Sequence, residues 1–315
     1  MTDNNGQRKG SLQFYPRVRA KKIIPRVNWV GIKKKEFGLL GFIGYKVGMT
    51  SVFVKDETEN SMTKGKKIVI PATIIECPTM NIYAVRFYNN KKIVKDIVVN
   101  NSKDLKNKLK VPKDSKKFEN DFQYDDIRVI VYSNVKDLSA VSQKNPYMIE
   151  LGLSGSKEEK TEWIKKNLDK PFSIKDVFTG GLVDAVAVTK GYGTQGPMKR
   201  FGVALKSHKS EKGRRRPGSL SSFGLRRVTF RAPQAGQTGF HTRVVYNNLI
   251  LKIADINESN INKTEGFHRY GKIKNDYIIL KGSIPGPKKR AIVLKYTTRP
   301  TKHKSKQKFE FIELR

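Results

Sequence analysis

Gly191, Gly193 and Gly196, in the run GYGTQG, stand at the G-x-G-x-x-G spacing that lets a backbone cradle a dinucleotide pyrophosphate. The run follows LVDAVAV (Leu182–Val188), which reads as a strand. That chemistry also needs an amphipathic helix directly after the glycines, because the helix N-terminus meets the phosphates. Pro197 and the cationic run MKRFGVALKSHK follow instead, with no helical apolar stripe. Glu211 lies about twenty residues past Gly191, where a ribose-binding acid would stand, but it sits inside a Lys/Arg cluster and would pair locally. The glycines read instead as positions of unusual dihedrals or close backbone approach, where a loop leaves the fold.

Other catalytic constellations fail in the same way. The histidines are His208, His241, His268 and His303, and no two of them sit at metal-ligand spacing. The single cysteine, Cys77, lies in the apolar run ATIIEC and reads as a packed strand residue. No G-x-S-x-G elbow, Walker loop or paired carboxylates appear. The expectation is a protein without catalysis, cofactor or metal.

The residue types do support polyanion chemistry. From Gly191 to Arg243 the chain carries Lys199, Arg200, Lys206, Lys209, Lys212, Arg214, Arg215, Arg216, Arg226, Arg227, Arg231 and Arg243, opposed only by Glu211. His208, Phe223, Gln237 and His241 lie among them as further candidate contacts. Arginine suits phosphate because its planar fork binds two oxygens at once and stacks on bases. The Arg214–Arg216 run admits two blander readings, a nuclear-type address and a solvated face; its Gly-flanked place inside a folded domain favours a grip on phosphate. Such a segment is too charged and too poor in apolar runs to fold alone, so it needs a polyanion to become ordered.

A second basic stretch occupies residues 1–36, with Arg8, Arg17, Arg19, Lys21, Lys22 and Arg26 as candidate contacts and Asp3 and Glu36 as its only acids. Pro16 and Pro25 argue against a long helix. Phe14, Tyr15 and Trp29 interleave with the cations, a combination that suits base stacking beside phosphate contact. The sequence leaves two roles open for Trp29, stacking on nucleic acid or docking the arm on the protein's own body. A third set, Lys288, Lys289 and Arg290, sits in the rigid loop KGSIPGPKKR.

The whole chain agrees with these local signals. Its 315 residues hold 64 Lys+Arg against 28 Asp+Glu, a formal net charge of +36. Nucleic acid is the commonest partner that neutralises such a chain. A membrane surface is the rival, but no apolar run approaches about 20 residues and no long basic amphipathic helix is visible. The N-terminal MTDNNGQRKG lacks a signal-peptide core, and the lone cysteine fits a reducing, cytoplasmic location.

Something must hold these basic segments. GLLGFIGYKVGMTSVFV, KIVIPATIIEC and YAVRFY (Tyr83–Tyr88) read as short strands broken by glycine and proline, as in a small barrel. Lys92–Val99 and Ile127–Tyr132 read as strands of a mixed insertion whose balanced charges form a solvated face. Ser156-Lys157-Glu158-Glu159 is a capping box that should start a helix through Trp163 and Leu168, and a second helical turn is expected after Ser173. Strands are expected at Arg243–Tyr246 and Leu249–Ile253 with Asn247-Asn248 as the turn, and a last pair at Tyr277–Leu280 and Ala291–Leu294. The expected class is mainly β with an α/β insertion, a long basic N-terminal arm and a central loop extension. Its segments are an extension (1–36), a first barrel part (37–88), the insertion (89–176), a barrel strand (177–190), the basic loop (191–242), barrel completion (243–298) and a basic tail (299–315).

Six ordered segments, RKGSLQFYPRVRA (Arg8–Ala20), GFIGYKVGMTSV (Gly41–Val52), ATIIECPTM (Ala72–Met80), VTKGYGTQG (Val188–Gly196), GQTGFHTR (Gly236–Arg243) and SIPGPKKR (Ser283–Arg290), together resemble the universal large-subunit ribosomal protein L-three family in its longer archaeal and eukaryotic form. The resemblance implies a translation-protein β-barrel with an α/β insertion and extensions buried in large-subunit rRNA, beside neighbouring ribosomal proteins. It implies early binding in subunit assembly and a central loop, here roughly Tyr192–Gly239, that reaches toward the peptidyl transferase centre. There the family influences factor and aminoacyl-tRNA binding without doing chemistry. A cytoplasmic ribosomal location follows, with no membrane and no self-association. Three positions depart from the family's usual pattern: Phe223 stands for a tryptophan at the loop tip, Val18 for a third cation in the arm, and Phe240 for a tyrosine. Each loses a donor or a charge that the family ordinarily has there.

Overall fold

In the computed structural model, the described residues are 11, 13–32, 37–106, 108–110, 112, 123–220, 228–229 and 231–315. They divide into two compact units, one of residues 24–187 with 244–315 and one of residues 1–23 with 188–243.

The larger unit is built on strands β1 (Gly41–Asp56), β2 (Lys67–Glu76), β3 (Met80–Asn89), β4 (Lys92–Val98), β5 (Asp126–Ser133), β6 (Met148–Gly152) and β7 (Leu182–Val188). Its helices are α1 (Lys157–Asn167) and α2 (Ile174–Val177). The smaller unit contributes β8 (Gly191–Gln195), α3 (Pro197–Phe201) and β9 (Gly236–Gly239). The chain then returns through β10 (Thr242–Ala254), β11 (Tyr277–Lys281), β12 (Ala291–Tyr296), α4 (Lys302–Ser305) and β13 (Phe309–Leu314). The fold is mainly β, as the sequence leads one to expect.

Seven strands form one sheet in the order β12-β7-β10-β11-β2-β1-β13, and β12 also pairs with β1, so six of them close on themselves. The closure is made by Gly41–Tyr45 against Ala291–Lys295, antiparallel. Residues 41–48 of β1 are buried without interruption, because this half of the strand is covered on both faces. β1 feeds two apolar clusters, one through Phe42, Ile43 and Tyr45 and the other through Val47, Val52 and Val54.

The second sheet has the order β4-β3-β5-β6. It shares the first cluster through Val85, Phe87, Val129 and Val131. Tyr83–Tyr88 therefore belongs to this sheet and not to the closed ring, and the inserted layer begins at Met80 rather than at residue 89. Its charges are more organised than a solvated face. Glu150 on β6 accepts from Arg86 of β3 at 3.0 Å, Arg128 of β5 at 2.9 Å and the Tyr88 hydroxyl at 2.7 Å. Arg86 also pairs with Asp96 on β4, and those bonds raise the guanidinium pKa further. These cations are already neutralised by cross-strand partners.

The helix starts follow local chemistry. Ser156 and Glu159 form a reciprocal capping box at α1, and Ser173 with Asp176 does the same at α2.

Three further expectations change. Asn247-Asn248 is not a hairpin turn, since β10 runs through it. The fully buried Asp184 carboxylate accepts the Asn247 N–H at 2.9 Å, the Thr297 hydroxyl at 3.0 Å and the Thr298 N–H at 3.3 Å. It holds Asn247 at φ 58°, a left-handed conformation asparagine tolerates, within a strand that continues. β11 and β12 do not pair with each other, for β11 lies between β10 and β2 while β12 lies between β7 and β1. The end of the basic tail, FEFIEL (Phe309–Leu314), is a strand, paired with Val52–Asp56 of β1.

Trp29 is settled by packing. It is buried, and its indole N–H donates to the Glu150 carbonyl at 2.9 Å. A Cβ on Gly41 would lie 2.7 Å from its ring, and one on Gly152 would lie 2.8 Å from its Cβ. Both glycines are needed so that β1 and β6 can approach the indole.

Candidate nucleic-acid interface

In the smaller unit the arm and the central loop fold against each other. The first five residues of GYGTQG are the strand β8, antiparallel to β9: Gly193 faces Thr238, Thr194 faces Gln237 and Gln195 faces Gly236. One helical turn, α3, does follow, with Pro197 at its start and Gly202 in the left-handed region (φ 65°) ending it. An antiparallel ribbon followed by five helical residues is not the strand-to-helix turn of a dinucleotide site.

Arg17 of the arm is the joint. It donates to the Arg200 carbonyl at 3.1 Å and the Ser11 carbonyl at 3.4 Å. Its guanidinium lies over the Phe201 ring at 4.4 Å and the Tyr15 ring at 5.4 Å. Phe201 is buried although it stands in a cationic run, and it is absent from the sequence-derived set. Arg200 in turn donates to the Gln237 carbonyl at 3.1 Å and the Gln234 carbonyl at 2.9 Å. Its guanidinium covers Gly236, where a Cβ would fall 2.9 Å from Cζ.

A second row ties the arm to the loop's return. The Ala20 N–H donates to the Phe240 carbonyl at 2.8 Å. The His241 ring lies 2.8 Å from the Val18 carbonyl through Nδ1, which must carry the proton because a carbonyl only accepts. The His241 N–H donates to Thr189 Oγ1 at 3.1 Å. Arg243 covers the Phe14 ring at 4.6 Å. Gln237 turns its amide N–H to the Gly239 carbonyl at 3.0 Å.

Burial, and after it the crowding of like charge, lowers the pKa values of this nucleus. Burial first, and then the charge of Arg17, lower the pKa of Arg200 and of Arg243. Burial also lowers His241, helped by Arg243, Arg17 and Arg200 and opposed by its bond to Val18. An anion against this surface would relieve the repulsion.

The candidate cations thus separate into two kinds. Arg17, Arg200, His241 and Arg243 are partly buried and hold the unit together. Arg19, Lys21, Lys22, Lys199, His208, Lys209, Lys212, Arg214, Arg215 and Arg216 are exposed. Lys206 is half-buried, and its N–H meets the Arg214 carbonyl at 3.2 Å, closing a turn over the residues between. Tyr192, which sequence reasoning passed over, is 58 % exposed on β8 with the Lys190 ammonium 5.6 Å from its ring centre, an aromatic face suited to stacking. Its signal was available as an aromatic between glycines in a strand-like run.

Not every candidate lies in this unit. Arg26, exposed, and Lys288, Lys289 and Arg290 belong to the larger one. Arg8, Phe223, Arg226 and Arg227 lie outside the described residues, and with them the departure at the loop tip. Among the described residues no group of His, Cys, Asp and Glu is placed to hold a metal ion, and no helix is long and apolar enough to cross a membrane.

The amino-acid sequence is similar to known proteins along nearly its whole length. The chain matches the family described as Ribosomal protein L3 over residues 1–111 and 87–315. It is 41 % identical over 319 residues to the large ribosomal subunit protein uL3 of Methanothermobacter thermautotrophicus, covering 95 % of this chain and 94 % of the relative. The uL3 protein of Archaeoglobus fulgidus is 38 % identical over 309 residues, covering 94 % and 92 %. That of Thermoplasma acidophilum is 38 % identical over 306 residues, with the same coverage. With a family match over both halves and such relatives along nearly its whole length, the chain belongs to the ribosomal protein L3 family.

Proposed function

We propose that this chain is a structural component of the large ribosomal subunit that binds large-subunit rRNA and performs no chemistry of its own. The observation that carries the reading is the division of labour in the smaller unit. Four partly buried groups build a scaffold, and the exposed cations around it face only one acid, Glu211, from Gly191 to Arg243. Such a surface neutralises phosphates where RNA helices converge, and it reads RNA by shape more than by base identity. The names of the archaeal relatives support the same assignment.

The closed ring of six strands supports reading the larger unit as the translation-protein β-barrel. On this reading the protein joins the subunit early in assembly, acts as a single copy among neighbouring ribosomal proteins and resides in the cytoplasm. The central loop runs toward the peptidyl transferase centre, as the family resemblance implies, and shapes factor and aminoacyl-tRNA binding there.

Filter binding of the full chain to transcribed large-subunit rRNA tests the electrostatic mechanism. Plotted against log salt, log affinity should fall with a slope of roughly −0.7 to −0.9 per phosphate contacted. A flat salt dependence would overturn it.

A further inference from the structure

Two cations of the larger unit are held in a conformation that side chains rarely adopt. Arg269 has φ 59° and Lys289 has φ 67°. Among the described residues, the other non-glycine residues with positive φ are Asn60, Asn90, Lys91 and Asn247, at turns or the β10 irregularity already described, and Phe240, which serves the arm. Arg269 and Lys289 line one shallow concavity with residues 265–268, 270 and 271. Strain of this kind persists where the surroundings impose it, and it clusters at binding sites.

The surroundings here are built with care. The turn closes by paired bonds between Phe267 and Gly271, at 2.8 and 2.9 Å. It is anchored from below by the buried Tyr270, whose hydroxyl donates to the buried Glu76 at 2.6 Å. The second loop is pinned to β1 by Lys46, whose ammonium donates to the Ile284 carbonyl at 2.5 Å and the Gly286 carbonyl at 3.2 Å. Its backbone exchanges bonds with the same residue, Lys289 N–H to the Lys46 carbonyl at 2.8 Å and Lys46 N–H to the Arg290 carbonyl at 3.0 Å. Lys288 joins the two loops, its ammonium donating to the His268 carbonyl at 2.6 Å. His268, Arg269 and Lys289 are exposed. One acid, Glu265, also lines the concavity and is exposed, so the balance stays positive.

We propose that the turn at His268-Arg269 and the loop at Lys288-Lys289 form one preorganised site for RNA backbone phosphate, separate from the arm and central loop. The proposal rests on the rRNA reading and extends it to a surface of the strand unit. Preorganisation is its logic: two cations fixed by rigid backbone lose little freedom when phosphate arrives, unlike cations on a long loop.

Glycine tolerates positive φ, so the double variant Arg269→Gly/Lys289→Gly removes both charges while relieving the strain. A matched control, Lys165→Gln/Lys166→Gln, removes two exposed charges from α1. All three full-length chains are titrated with transcribed large-subunit rRNA against salt, alongside thermal melts. The site predicts that the glycine variant melts at or above the parent temperature and that its slope shrinks by about 0.7 to 0.9 for each phosphate lost, while the control keeps the parent slope. An unchanged slope with a steep parent overturns the site and leaves the rRNA reading standing. An equal loss in the control overturns it too, since general charge would then suffice. An unchanged slope with poorer incorporation into subunits assigns the face to an acidic protein neighbour and likewise overturns it. A flat parent slope fails the rRNA reading itself.

Discussion

Arg17→Ala should undock the N-terminal arm without unfolding the strand core. The lost interactions are a hydrogen bond of 3.1 Å to the Arg200 carbonyl, a weaker one of 3.4 Å to the Ser11 carbonyl, and stacking at 4.4 Å on a buried Phe201. A hydrogen bond from a charged donor contributes about 1.5 to 3 kcal/mol, and a partly desolvated cation–π contact about 1. Repulsion between the Arg17 and Arg200 guanidiniums, which adds to burial in lowering the pKa of Arg200, offsets part of that sum. A net loss of about 2 to 3 kcal/mol remains, or roughly 30- to 150-fold in the docked population, at 1.36 kcal/mol per tenfold. The Ala20 N–H, bonded to the Phe240 carbonyl at 2.8 Å, reports docking directly. In hydrogen exchange on the free protein, its protection should fall by that factor, while β1 amides such as Ile43 keep theirs. Arg17→Lys keeps the charge but loses the planar fork, so it should recover little. Two results refute the reasoning: Ala20 exchanging at the random-coil rate in the parent, and equal loss of protection at Ala20 and in β1.

The remaining predictions are simpler. Trp29→Ala empties the space made by Gly41 and Gly152 and strands the Glu150 carbonyl, so denaturant unfolding should show the larger unit losing about 3 to 5 kcal/mol. His241 should titrate below the ordinary histidine value of about 6.5 in an NMR pH series. Because the undocked chain takes up the proton first, docking should be complete above about pH 6.5 and weaken as the pH falls, levelling off below the docked pKa; Ala20 protection that rises on acidification contradicts this. Deleting residues 206–227 should leave the circular dichroism of the strands intact, since the larger unit has its own clusters, but should impair subunit assembly or the active centre. An unfolded deletion variant would show that loop and core are not separable.

What the sequence made legible was local. The capping box at Ser156 needs only residues three apart, and it forms, as does the helical turn expected after Ser173. Period and composition likewise marked β4, β5 and β7. The candidate contacts stood out as a class, because +36 of net charge and one acid between Gly191 and Arg243 leave few partners. Their division did not. Arg17 and Arg19 are two residues apart and alike in sequence, yet Arg17 meets Phe201 and the Arg200 carbonyl far along the chain while Arg19 stays exposed. Trp29 was undecidable for the same reason, because its pocket is made by Gly41 and Gly152. Asn247-Asn248 carries a strong turn signal, and only the buried Asp184, far off in sequence on the neighbouring β7, converts it into part of a continuous β10. Phe309–Leu314, within the segment read as a basic tail, becomes a strand because β1 is long enough to offer Val52–Asp56 as an edge.

The central claim, that the exposed cations hold this protein to rRNA in the large subunit, is tested most directly by sedimentation of native lysate through sucrose gradients of rising salt. The account predicts that the protein travels with large subunits at low and moderate salt and leaves only at high salt, with the triple variant Arg214→Ser/Arg215→Ser/Arg216→Ser leaving earlier. Protein that stays at the top of the gradient at low salt, or a variant that departs at the same salt as the parent, would contradict it.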